Sequence, residues 1–234
     1  MITLTLLFFL TITAVLYTYV GFPLVLMVSS SIRNRPVRRL PILPSVSLIV
    51  AAYNEEKSIA TKLANALELD YPRDRLQIIV ASDGSSDETN EIVRGKFADR
   101  VNLLELPRRG KVFALTDAVA ESHGEILIFS DANTLFETDA VRELVMSFSD
   151  PEVGGVCGNQ GYLSSATRDN TSKGEKIYWN YDKWLKKMET LTGSIVSADG
   201  AIYAIRRVLY RAPTSAAITD DFAISTAVVE QGYR

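Results

Sequence analysis

The apolar run Ile126-Leu127-Ile128-Phe129 stops abruptly at Ser130-Asp131-Ala132-Asn133-Thr134. A run of strand length that ends in a carboxylate reads as a buried strand delivering a polar group to its carboxyl end, where open α/β sheets bind ligands. Asp131 and Asn133 offer hard oxygen donors of the kind that hold Mg2+ or Mn2+ together with a diphosphate. An isolated Asp-x-Asn is more often a turn or a helix cap. Its meaning here comes from three other polar clusters in the same setting.

Tyr53-Asn54-Glu55-Glu56, Ser82 to Asp87, and Arg108-Arg109-Gly110-Lys111 each follow an apolar segment of strand length. In a parallel sheet such ends converge along one edge, so four sequence-distant loops line one cleft. An aromatic ring can stack on a base, carboxylates can accept from base or ribose donors, and lysine can meet phosphate. That combination suits a nucleotide. No G-x-G-x-x-G follows the first apolar segment and no G-x-x-x-x-G-K-[ST] occurs, so neither a dinucleotide-binding fingerprint nor a P-loop is present.

The elements that must position these loops can be read in order. Strands are expected over Val46–Ala52, Leu76–Ala81, Val101–Leu106 and from Ile126, with helices over Lys57–Leu69, Glu88–Ala98 and Val112–Ser122. Alternation of this kind predicts a doubly wound α/β domain. Beyond Thr134 a helix from Thr138 or Asp139 to Phe148 and a strand from Val153 to Gln160 are expected. Glu175 to Leu191, which interleaves Tyr181, Trp184 and Met188 with lysines, reads as a helix that lies at a membrane surface or borders a sugar site, or else packs on the core with a solvated basic side.

Met1 to Ile32 contains no charged residue, which is long enough to span a bilayer, since about 20 apolar residues suffice. Pro23 is expected to kink that helix or mark its end. Arg33, Arg35, Arg38 and Arg39 follow, and the positive-inside rule keeps them and the rest of the chain in the cytoplasm, near anionic lipid headgroups. Without those four of the 25 basic residues, 21 remain against 28 acidic ones. That acidic balance argues against nucleic acid as a partner. Cys157, the single cysteine, excludes internal disulfides and reads as a small buried residue. The organisation expected is a transmembrane helix (1–32), a proline-containing linker (33–45) and an α/β domain (46–234).

From Val46 onward the ordered set of motifs resembles the inverting family-2 glycosyltransferases with the GT-A fold, in particular the membrane-bound branch containing cellulose, chitin and hyaluronan synthases. The resemblance implies a Rossmann-like, mostly parallel sheet flanked by helices. It implies that Tyr53 and Glu55 lie against the uracil of a UDP-sugar, that Asp83 reads the base, and that Lys111 lies near the nucleotide. Asp131-Ala132-Asn133 takes the place of the D-x-D metal motif, with Asn where the family usually has its principal metal ligand, and Ser82 stands where a second Asp is usual. Asp199-Gly200-Ala201 resembles the segment bordering the acceptor sugar. Ile218-Thr219-Asp220-Asp221 resembles the T-E-D element, which implies Asp221 as general base with Asp220 beside it.

The implied reaction is metal-dependent inverting transfer from a UDP-sugar to a hydroxyl of a carbohydrate or lipid-linked acceptor. Family members continue into a Q-x-x-R-W element and further membrane helices, so a truncated carboxyl-terminal part is expected. A non-catalytic nucleotide-sugar binding module and a nucleotidyltransferase are the alternative readings.

Overall fold

The computed structural model describes residues 2–159, 173–215 and 219–234. Packing divides the chain into two units, Met1–Val37 with Tyr162–Ile195, and Arg38–Gly161 with Val196–Arg234.

In the first unit, α1 (Ile2–Leu16) passes through a π-helical turn (Tyr17–Gly21) into α2 (Phe22–Arg33). Pro23 therefore neither ends nor breaks the helix. The widened turn just before it takes up the missing N–H and the bulk of the ring. Ile2–Arg33 is the one helix among the described residues long and apolar enough to cross a membrane, and its apolar side chains are largely exposed. Asn34 ends it in the left-handed conformation, with its N–H on the Ser30 carbonyl.

Helix α7 (Lys173–Thr192) packs on α2. The Ser30 hydroxyl meets Met188 Sδ at 3.3 Å, the Tyr181 hydroxyl donates to the Tyr19 carbonyl, and the Arg35 N–H donates to the Leu191 carbonyl at 2.9 Å.

The second unit is built on a six-stranded sheet ordered β3-β2-β1-β4-β6-β5. Its strands are β1 (Val46–Ala52), β2 (Leu76–Asp83), β3 (Asn102–Leu106), β4 (Ile126–Asp131), β5 (Gly155–Cys157) and β6 (Ile202–Arg206). The first four are parallel, and β6 runs antiparallel to both β4 and β5. The four expected parallel strands are present, with β2 reaching two residues further, to Asp83. The expected strand from Val153 shrinks to three residues, and its far end, Gln160, lies outside the described residues.

Leu48, Ile49, Ile79, Leu127 and Phe129 are all but fully buried. Each such side chain contributes about 1.5–3 kcal/mol through burial. Helices α3 (Ile59–Leu67), α4 (Thr89–Phe97), α5 (Lys111–Ala120), α6 (Ala140–Met146) and α8 (Asp220–Glu230) complete this unit. Arg39 donates to the Glu143 carboxylate at 2.7 Å and to its carbonyl, so one arginine of the basic cluster is engaged by protein.

Candidate active site

Parallel pairing brings the ends of β1, β2, β3 and β4 to one edge, with Ala52 opposite Ser82, Asp83 opposite Leu106, and Ala51 opposite Asp131. The loops beyond are tied to one another. Asn54, held at φ 55°, accepts from the Ser86 N–H at 2.8 Å, and its own N–H reaches Ser85 Oγ at 3.1 Å. Asp87 accepts from the Glu56 N–H and from both the N–H and hydroxyl of Thr89. Desolvation works against its charge, yet these hydrogen bonds prevail and hold the carboxyl below its usual range.

Tyr53 is half-exposed and carries the Arg108 guanidinium over its ring, 3.4 Å from the centroid. Glu55 turns its carboxylate onto the Ser58 hydroxyl just before α3. Asp83 is buried: it accepts from the N–H groups of Arg109 and Gly110 and pairs with the Arg108 guanidinium. It therefore anchors the loop that leads into α5. Gly84 makes that approach possible, because at φ +68° it carries no Cβ, which would stand 2.8 Å from the Arg108 backbone nitrogen.

At the centre of the edge, Lys111 opens α5 and places Nζ 2.7 Å from Asp131 Oδ1 and 3.1 Å from Asp220 Oδ1. Burial alone depresses the Lys111 pKa, but its hydrogen bond to Asp131 and the charges of Asp220 and Asp131 overcome that and hold it above the ordinary value. Asp220 is buried and also meets the Tyr203 hydroxyl at 3.5 Å. Tyr203 arrives from β6, opposite Phe129, with the two rings stacked at 4.8 Å. Burial, then the charges of Asp220 and Asp221, push the Tyr203 phenol well above its usual range, so it stays a neutral donor.

Asp220 and Asp221 both lie in the first turn of α8, where carboxylates complement the helix dipole. The start of their motif, Ile218, lies outside the described residues. Asp221 is partly exposed, and a Cβ on Gly200 would come 3.2 Å from its Oδ2. Ser225, one turn later, accepts from the Ala198 N–H and donates to the Asp221 carbonyl. The Asp199-Gly200-Ala201 segment is thereby laid against the start of α8. Cys157, read from the sequence as simply buried, is only partly so, and its sulfur accepts from the Asp199 N–H at 3.3 Å.

Asp131 is partly exposed and Asn133 is exposed. No group of three or more His, Cys, Asp or Glu side chains suited to a metal occurs among the described residues. A site of one carboxylate and one amide oxygen fits a hard cation that completes its shell with water and substrate phosphate, as Mg2+ and Mn2+ do. It does not fit a closed protein cage. The residues present are thus compatible with a shared divalent cation.

Sequence reading missed Lys62 and Asn65 on α3 and Ser225 on α8; Arg108 lay in the expected basic loop, but neither its pairing with Asp83 nor the contact of Tyr203 with Asp220 was foreseen. Only Lys62 left a signal, as a lysine on the same helical face as Ile59 and Ala66.

The family described as "Glycosyl transferase family 2" matches residues 47–212. This chain belongs to glycosyltransferase family 2. It is 31% identical over 222 residues to the probable glycosyltransferase YdaM of Bacillus subtilis, covering 86% of this chain and 51% of that protein. It is 28% identical over 214 residues to the poly-beta-1,6-N-acetyl-D-glucosamine synthase of Staphylococcus aureus, covering 87% and 50%. The chain thus spans about half the length of these relatives. Among solved structures, the mannosyltransferase PcManGT from Pyrobaculum calidifontis, in complex with GDP-Man and Mn2+, superimposes with a TM-score of 0.74 at 28% identity, covering 95% of this chain and 64% of that one. The mixed six-stranded sheet of this glycosyltransferase is accordingly of the GT-A type, as its motifs implied.

Proposed function

We propose that this chain carries the donor-binding and catalytic centre of a membrane-anchored, metal-dependent inverting glycosyltransferase, which moves a sugar from a UDP-sugar to a hydroxyl of a carbohydrate or lipid-linked acceptor at the cytoplasmic face. The observation that carries this reading is the meeting of Lys111, Asp131 and Asp220 beside Asp221 and Gly200, four chain segments at the carboxyl edge of one sheet. PcManGT, similar over nearly the whole chain, was solved with a nucleotide-sugar and Mn2+. The anchor rests on the long apolar helix, and the orientation on the four arginines after it.

In this mechanism Tyr53 supplies an aromatic face for the base, while Glu55 and the Asp83-anchored loop border it. Lys111 presents positive charge to the diphosphate, drawing its ammonium away from one of its two carboxylates. Asp131 and Asn133 would hold the divalent cation, which when bound supplies charge to the departing diphosphate. The acceptor hydroxyl lies along Asp199-Gly200-Ala201. As its oxygen bonds to the anomeric carbon from the side opposite the diphosphate, the carbon–oxygen bond to phosphate breaks, and Asp221 takes the hydroxyl proton. UDP leaves and the anomeric configuration inverts. Asp220 stays paired with Lys111 and Tyr203, orienting the turn that presents Asp221.

Transfer of label from UDP-sugars by the full-length membrane protein, wild-type and Asp221→Asn, tests the assignment. The expected result is metal-dependent transfer that Asp221→Asn abolishes, while UDP binding by calorimetry persists. Retained transfer removes Asp221 as the base. Binding of UDP without transfer to any hydroxyl acceptor favours a binding module, synthesis of nucleotide-sugar from sugar phosphate favours a nucleotidyltransferase, and stronger binding of GDP than UDP overturns the assignment of the base.

A further inference from the structure

Lys62 has no exposed surface, although its helix has a solvent side on which a lysine belongs. Its Nζ donates to Ser130 Oγ at 2.8 Å and to the Thr134 carbonyl at 2.6 Å, and lies 3.5 Å from the centroid of the Phe136 ring. Ser130 in turn donates to the Asp131 carbonyl at 3.1 Å. One turn along the same face of α3, Asn65 makes two hydrogen bonds to one residue: its amide donates to the Phe136 carbonyl and its oxygen accepts the Phe136 N–H, both at 2.8 Å. The loop that leaves β4 is therefore gripped before Asp131, by way of Ser130, and after Asn133, at Thr134 and Phe136.

An apolar side chain at position 62 would continue the stripe of Ile59, Leu63 and Ala66 without the cost of burying an amine, which is large unless the group is paired. The burial of Lys62 pulls its pKa down to about 7, against the pull of the Asp131 charge, which shows how much solvation the amine has given up. Core packing does not call for a lysine here. What the amine supplies is three contacts on a short loop whose own backbone offers only the Thr134 N–H to the Asp131 carbonyl, at 3.3 Å.

We propose that Lys62 and Asn65 are positioning residues that clamp the Ser130–Phe136 loop and so restrict the movement of Asp131 and Asn133, the residues that would hold a divalent cation shared with a diphosphate. The inference rests on the metal–nucleotide reading above and extends it to two residues that touch neither ligand. Outer-shell groups of this kind typically change metal affinity about 10- to 100-fold when removed.

The test uses the full chain in detergent and follows Mn2+ by electron paramagnetic resonance at saturating UDP, with UDP affinity in EDTA measured alongside. Lys62→Met and Asn65→Ala should each weaken Mn2+ binding about 10-fold or more, while UDP affinity in EDTA stays within about twofold and the thermal transition remains cooperative. Should Lys62→Met fail to fold, Asn65→Ala decides alone. Folded variants with wild-type Mn2+ affinity overturn the clamp, as does a loss of UDP affinity that is equal with and without metal. Wild-type protein that binds UDP but no Mn2+ overturns the metal reading and the clamp together. The variants separate the two failures, because only the clamp fails when wild-type binding is metal-dependent and theirs is unchanged.

Discussion

The Lys111 ammonium stands 3.1 Å from Asp220 Oδ1, joining the first residue of α5 to the first residue of α8 across more than a hundred positions of sequence. The same ammonium holds Asp131 at 2.7 Å, so a single cation joins a carboxylate of the proposed metal site to the residue beside the proposed base. Asp220 is the more buried of the pair and depends on it more.

Lys111→Met should therefore cost stability as well as nucleotide affinity. Leaving a buried carboxylate without its charged donor costs about 1–3 kcal/mol, at the lower end here because Lys111 is partly solvated. Thermal denaturation should show the loss, and calorimetry should show UDP binding weakened about 10-fold, as expected for one charged contact of 1.4 kcal/mol. Asp220→Asn in the Lys111→Met background should restore part of the stability but none of the affinity.

Gly200→Ala should act on transfer more than on donor binding. The added methyl would stand 3.2 Å from Asp221 Oδ2, close enough to displace the carboxylate by a few tenths of an ångström. Misplacing a catalytic group by as much as about 1 Å can cost about 100-fold, so a fall in kcat of about 10-fold is expected, with the donor KM nearly constant. Steady-state kinetics at varied UDP-sugar would show it, and a change confined to KM would contradict it.

Asn133→Asp should raise the affinity for Mn2+. A carboxylate is the stronger ligand for a hard cation than an amide oxygen, and Asn133 is exposed enough to accept the charge without a burial penalty. Titration of Mn2+ against UDP-loaded protein should give a lower Kd. No change would place residue 133 outside the metal shell.

Lys62 also sets a pH dependence of stability. Its folded pKa of about 7 lies below the ordinary lysine value of 10.5, so between these the unfolded chain binds the proton more tightly. The destabilising effect of the buried amine is then fully present below about pH 7 and is relieved as pH rises toward 10.5. Wild-type stability relative to Lys62→Met should rise across that window and stay flat below it. Paired denaturant melts would measure the difference, and a flat difference up to pH 10 would refute the shift.

Much of this architecture was legible in the sequence, because strands buried on both faces appear as unbroken apolar runs and parallel strands must release their polar loops at one edge. Val46–Ala52 and Ile126–Phe129 could be placed that way, and with them Tyr53 and Asp131. The resemblance added Asp221 and Gly200, which no local periodicity marks. Sequence reasoning could not give the antiparallel β6 that brings Tyr203 under Asp220, since strand direction depends on the path of the chain between elements. Nor could it foresee Asp83 turned inward to hold Arg108 to Gly110, or a lysine on an apolar helical face whose partners lie some seventy residues away.

Ser130-Asp131-Ala132-Asn133 spans the end of β4 and the start of the loop beyond it. Its sequence determined that a carboxylate and an amide would emerge at the end of a buried strand, because burial pattern and residue type are local properties. Tertiary structure alone decided what surrounds them: Lys111 and Asp220 on one side, Lys62 and Asn65 beneath. Those contacts join residues far apart along the chain, and electrostatic pairing and loop geometry depend on distances that only the folded chain sets.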